Sequence, residues 1–133
     1  MSTDAAPLLA DLVLEGGGVK GIGLVGATAG LVEAGYAFPR VAGSSAGAVV
    51  AAFAAALQHA GEPLSRLEDI ALALDYRRLR DRGRIAARLG FLGPVMDGFA
   101  IAFENGIFEG GYLSDFVAGG LADLGVRTFG DLR

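Results

Sequence analysis

A short apolar run, a glycine-dense turn and an apolar helix-like stretch follow one another from residue 12, and the same order then repeats. The first copy reads LVLEGGGVKGIGLVGATAGLVEAG over residues 12–35. Residues 12–14 read as a parallel strand, because an apolar run this short is expected to be covered on both faces. Residues 21–34 read as a helix with Gly35 as its C-terminal stop. In the second copy, residues 40–43 read as a strand and residues 47–60 as an alanine-rich helix ended by Gly61. That helix is apolar nearly all round, which predicts burial. A β-α-β-α order implies an α/β fold with a mainly parallel sheet and helices on its faces.

Further along, Ser65 and Glu68 form a capping-box pattern, predicting a third helix to about residue 74. Residues 75–88 are charged and carry Arg77, Arg78, Arg80, Arg82, Arg84 and Arg88. Residues 90–111 are glycine-rich and apolar, with Phe91, Phe99, Phe103 and Phe108, and read as a loop or short strand. A short helix is expected over residues 112–117. Thr128 and Asp131 make a second capping box just before Arg133. A helix announced and cut after one turn predicts the front part of a larger domain. The expected division is a tail at 1–11 and the N-terminal part of one domain at 12–133. The two copies share an order of elements and not a sequence, and no internal repeat of fixed period occurs.

Composition removes several chemistries. The 133 residues contain no cysteine, which excludes thiol catalysis and thiolate metal sites, and His59 is the sole histidine. A net charge of −4 argues against a nucleic-acid partner. The N-terminal residues carry Asp4 and Asp11 and no basic side chain, so no secretory signal is expected. The run at 41–57 is interrupted by Gly43, Ser44, Ser45 and Gly47 and is too short to span a membrane. The expected location is the cytoplasm, with peripheral attachment to a membrane allowed.

Glycines between a strand and a helix let backbone N–H groups converge on an anion beside the positive end of the helix. A nucleoside triphosphate would need G-x-x-x-x-G-K-[ST], which does not occur. A dinucleotide would need G-x-G-x-x-G, which Gly16, Gly18 and Gly21 match. It would also need an acid at the end of the second strand, and that strand ends in VAGSSAG. The remaining anion is the oxyanion of an acyl-transfer intermediate, which needs backbone donors beside a nucleophile. Gly43 to Gly47 is a G-x-S-x-G elbow with Ser45 at its centre, and the Ala46 N–H lies at the helix start. Ser44 is the wrong serine by the same rule, because Ala42 and Ala46 would flank it. His59, 14 residues after Ser45 on the predicted helix, would lie about 20 Å away. A Ser-His-Asp triad within the chain is thereby excluded. The base must be a carboxylate, or lie beyond residue 133.

The strings EGGGVKGIGLVGA, VAGSSAGA, GIFEGGYLSDFV and TFGDL, in that order, resemble the N-terminal half of patatin-like phospholipases. The resemblance implies a three-layer α/β/α hydrolase with a Ser-Asp dyad acting on acyl esters of lipids at a membrane surface. It implies Ser45 as nucleophile and Gly16, Gly17 and Gly18 as the oxyanion loop, with Lys20 at the usual basic position and no cofactor or metal. The family's aspartate sits in a D-G-G or D-G-A string downstream of the elbow. This chain has only DGF at Asp97, ahead of the GIFEGG segment that should precede the aspartate, so Asp97 is not accepted as the base. The dyad aspartate is expected beyond residue 133, and the chain alone is expected to be inactive.

Lys20 is read as steadying the glycine loop or meeting a substrate phosphate. The arginine cluster is read first as a charged helix face paired with Asp75 and Asp81, and second as a contact to anionic lipid heads. The four phenylalanines are read mainly as core. Two other functions stay open: a nucleotide-binding module using the glycine loop, and a catalytically inactive lipid-binding or interaction domain. Head group, acyl length, positional preference and oligomeric state are not specified by these residues.

Overall fold

A computed structural model describes residues 6–18, 21–75 and 110–132. Strand β1, Leu8–Leu14, pairs in parallel with β2, Tyr36–Gly43, and helix α1, Gly21–Glu33, joins them. Helix α2, Ala46–His59, follows β2 directly, and α3 is Arg66–Ala73. Helix α4 is Gly110–Asp123, and a 3₁₀ turn covers Phe129–Leu132. The two halves of the repeated sequence pattern are thus two consecutive β-α units of an α/β fold.

Both strands begin earlier than their apolar runs indicate, Leu8 lying in what the sequence suggests is a tail. Leu8 pairs with Tyr36, and its N–H donates to the Gly35 carbonyl at 2.9 Å. The polar residues inside these extensions pair with each other: Asp11 faces Arg40 in register, and Arg40 Nε lies 2.8 Å from Asp11 Oδ1. The register slips once between Leu9 and Asp11, opposite the β2 segment containing Pro39. Proline has no N–H for the ladder. Gln58 of α2 braces this place, its side-chain amide donating to the Phe38 carbonyl at 2.9 Å.

Among the described residues, β1 is covered on one face. Leu12 and Leu14 are buried, whereas Val13 between them is 76% exposed. Alternation puts successive side chains on opposite faces of a strand, and the described helices share a single core on the Leu12–Leu14 side. Among the described residues the other face carries Val13 and the Asp11–Arg40 pair without a covering layer.

Helix α2 is the centre of that core. It packs against both described strands, the other three described helices and the 3₁₀ turn. Phe53, Ala54, Ala56 and Leu57 are buried almost completely, as expected for a helix without a polar face. Thr28 of α1 is also buried, and its hydroxyl donates to the Leu24 carbonyl at 2.8 Å.

The two capping boxes behave differently. Ser65 has helical backbone angles and makes no side-chain cap. The N–H groups of Arg66, Leu67 and Glu68 bond instead to the carbonyls of Pro63, Leu64 and Ser65, a tight turn that leads into the helix. At the other site, Asp131 Oδ2 accepts from the N–H groups of Arg127 and Thr128 at 2.9 and 2.7 Å. These donors hold its carboxyl below the ordinary range. Its stabilisation is therefore complete above the ordinary carboxylate pKa and fades as pH falls through the lowered value.

Helix α4 runs well past the 112–117 expected, through Gly119 and Gly120. A Cβ on Gly120 would stand 2.7 Å from Cε1 of Phe53, so the glycine is what lets α4 approach α2. Phe116 meets Phe53 edge-on alongside, with centroids 6.1 Å apart. The helix ends at Gly125, with φ +81°, and the Val126 N–H returns to the Leu121 carbonyl. Among the described residues no helix is long and apolar enough to cross a membrane.

Gly120→Val should destabilise the full-length protein by about 1–3 kcal/mol, the range for overpacking a filled core. Gly119→Ala, whose Cβ would meet open space, should instead stabilise it by about 0.5–1 kcal/mol. Urea unfolding of both variants checks the pair.

Candidate active site

The site is built where β2 turns into α2. Ser44 still belongs to the ladder, its N–H donating to the Leu14 carbonyl at 3.0 Å. Ser45 breaks from it. With φ +50° and ψ −123° it has the only positive φ of a non-glycine among the described residues. Such a conformation stores about 1–3 kcal/mol of strain and persists only where its surroundings enforce it. Helix α2 begins at the next residue, and the Ser45 carbonyl accepts from the N–H groups of Ala48 and Val49. The Ser45 side chain is exposed, and among the described residues its hydroxyl has no hydrogen-bond partner. The two adjacent serines are thus separated by backbone geometry, one held in the ladder and the other projecting at the turn.

The enforcement comes from glycines. A Cβ on Gly43 would collide with the Gly47 carbonyl, and one on Gly47 would collide with the Leu14 carbonyl and lie 2.5 Å from that of Glu15. Real Cβ atoms do not come so near to backbone. The turn can close only with bare backbone at both positions.

The glycine loop after β1 lies against this turn. A Cβ on Gly16 would fall 2.9 Å from Ser45 Cβ and 3.6 Å from its Oγ. One on Gly21 would fall 3.2 Å from Ala46 Cβ. Gly18 takes φ +56°, a left-handed conformation that suits glycine. Parallel strands bring both loops to the same edge of the sheet, where α/β sites form. The N-termini of α1 and α2 meet there, and neither first turn carries an acidic side chain. The first N–H groups of α2, those of Ala46 and Gly47, have no acceptor within the helix. The result is a glycine-lined junction beside the exposed Ser45, at the locally positive ends of two helices.

His59 is exposed in the last turn of α2, at the far end of the helix from Ser45. It lies near Asp131, whose carboxyl it helps to hold ionised. Lys20, Asp97, the arginine cluster and Phe91, Phe99, Phe103 and Phe108 lie outside the described residues. Sequence reasoning missed the seating of Gly47 on the Leu14 and Glu15 carbonyls. Its only trace in the sequence is the second glycine of the elbow. No group of described residues could hold a metal ion.

Strain at Ser45 has a measurable signature. Ser45→Gly should be more stable than Ser45→Ala by about 1–3 kcal/mol, because glycine adopts a positive φ freely and alanine does not. Denaturant midpoints of the two variants, side by side, test it. Equal midpoints would mean that the backbone there is unstrained.

A profile for patatin-like phospholipases matches residues 12–132. The Bacillus subtilis (strain 168) protein named Uncharacterized protein YqhO is 38% identical over 124 residues, which are 92% of this chain and 40% of that protein. The chain therefore spans well under two thirds of that relative's length. No solved structure matches. With the profile spanning the strand–glycine loop–helix unit, the elbow and the C-terminal helix together, the chain belongs to the patatin-like phospholipase family.

Proposed function

We propose that this chain carries the nucleophile and oxyanion half of a serine acyl hydrolase for lipid esters. The observation that carries the reading is Ser45: an exposed hydroxyl on a positive-φ residue at a strand–helix turn, with Gly16 packed on it. In this reading Ser45 Oγ attacks the ester carbonyl as its proton passes to a carboxylate. The negative oxygen that develops is met by N–H groups of Gly16, Gly17 and Gly18 and by that of Ala46. Collapse expels the alcohol and leaves an acyl-serine, which water then cleaves with the same carboxylate as base. Gly43 and Gly47 let the turn close, Gly21 lets α1 start beside it, and Lys20 supports the loop or a substrate phosphate.

The base is proposed to be an aspartate supplied from outside these residues. No D-G-G or D-G-A string occurs in the sequence, and Asp97 remains a poor substitute. Residues 1–133 alone should therefore be inactive, because an unassisted serine hydroxyl is a weak nucleophile. The substrate is proposed to be met at a membrane surface from the cytoplasmic side.

In the full-length protein, Ser45→Ala should abolish hydrolysis of a short nitrophenyl ester and labelling by a fluorophosphonate. Ser44→Ala should keep most of both, and labelling that survives Ser45→Ala would remove the assignment. Gly17→Val should lower kcat by about 10²-fold or more, the scale for an oxyanion donor. Calorimetry should detect no binding of NAD or ATP. Micromolar affinity for either would point to the nucleotide-binding reading instead.

A further inference from the structure

Strand β2 carries one residue more than β1 over the length they share. Leu9 pairs with Ala37 and Asp11 with Arg40, so Ala10 alone stands opposite both Phe38 and Pro39. A bulge of this kind is rare between parallel strands. Here it changes the phase of β2. Tyr36 and Phe38 ahead of it pack into the core, and so does Val41 after it. Side chains alternate along a regular strand, so Phe38 and Val41 could not share a face without the extra residue.

That residue is slack in the strand that ends at the elbow. Were the bulge to move along β2 to the turn, the turn would gain a residue. Ser45 could then leave its positive φ, its strain would be relieved, and Gly16 would no longer rest on it. Several features oppose this. Pro39 has no N–H to offer a regular ladder. The Phe38 carbonyl at the bulge accepts from the Gln58 side-chain amide at 2.9 Å. On the elbow side stands Arg40, 80% exposed at its side chain and 2.8 Å from Asp11. Moving the bulge past Arg40 would give it the phase of Phe38 and turn its guanidinium from the open face into the core. Thr28 is the one buried polar side chain among the described residues, so no carboxylate awaits the guanidinium there. A charge buried without a partner is among the costliest groups in a protein interior.

We propose that Arg40 is a positioning residue for Ser45, assisted by Asp11 and Gln58: its charge keeps the extra residue of β2 out of the elbow. The proposal rests on the hydrolase reading above. It adds a register device on the strand behind the nucleophile, at a residue that touches no substrate.

The full-length protein is compared with Arg40→Val, Arg40→Lys, a deletion of Pro39, and that deletion combined with Arg40→Val, all on nitrophenyl acetate. Valine suits either face of a strand, so Arg40→Val should let the bulge pass. It should lower kcat by about tenfold or more, since a displacement of about 1 Å at a reacting atom can already cost about 10²-fold. KM should stay where it is, because molecules in the slipped register are silent and the others are unaltered. Arg40→Lys should keep kcat, because an ammonium cannot enter the core either. Deleting Pro39 removes the slack, so it should leave kcat high and restore it in Arg40→Val. Loss of an ordinary stabilising contact would not be repaired by a deletion.

Full kcat in Arg40→Val, or an equal loss in Arg40→Lys, would overturn the proposal. So would a folded deletion that fails to restore Arg40→Val. If the deletion does not fold, the contrast between valine and lysine decides. Fluorophosphonate labelling separates the two readings. No labelling of Ser45 in the unmodified protein would remove the hydrolase reading and this role with it, whereas a labelled Ser45 beside full kcat in Arg40→Val would remove the role alone.

Discussion

The seating of Gly47 on the carbonyls of Leu14 and Glu15 holds the rest of this site together. Backbone meets backbone there at a separation that no Cβ would permit. It joins the end of the first β-α unit to the start of the second. Because Gly47 cannot move away, Ser45 two residues earlier is forced to a positive φ to bring the chain from strand to helix. Because the first strand's end is held in the same contact, the glycine loop leaving it must pass over the elbow, and Gly16 comes to rest on Ser45. The strain at the candidate nucleophile and the nearness of the candidate oxyanion donors are thus two consequences of one close approach.

That approach is maintained by the buried helix behind it. Helix α2 carries Phe53, Ala54, Ala56 and Leu57 into the core. Burying an apolar side chain of the larger kind contributes about 1.5–3 kcal/mol, enough together to offset the strain of one residue. The same helix is the seat of α4 through Gly120 and Phe53, so the elbow and the distant end of the domain share one packed element. The uncovered face of β1, with Val13 exposed, contrasts with this. The family's fold is a three-layer one, and the described residues supply the sheet and the layer on the Leu12–Leu14 side.

Much of the site was legible in the sequence, because its requirements are local. A strand–glycine–helix order, repeated, implies a parallel sheet with both loops at one edge. The G-x-S-x-G spacing marks Ser45 over Ser44, and the structure separates the same two serines by backbone conformation. The distance of His59 from Ser45 followed from helical rise alone. Where the reading fell short, the missing information was contact between segments remote in sequence. The Ser65 capping box did not form because backbone carbonyls from Pro63 onward already satisfy the first turn of α3. The strands began earlier than their apolar runs because Asp11 and Arg40 satisfy each other across the pair.

The sequence by itself determined the order of the elements, the need for bare backbone at Gly43 and Gly47, and the serine between them. Each of these is a constraint within a few residues of chain, set by period, side-chain size and spacing. Only the tertiary structure decided that Gly16 would touch Ser45, that α1 and α2 would start side by side, and that Gly119 and Gly120 would continue a helix rather than end one. A glycine has no side chain whose chemistry could announce its neighbour. Whether it marks a turn, a close approach or an open groove depends on which distant atoms come to occupy the space its missing Cβ leaves.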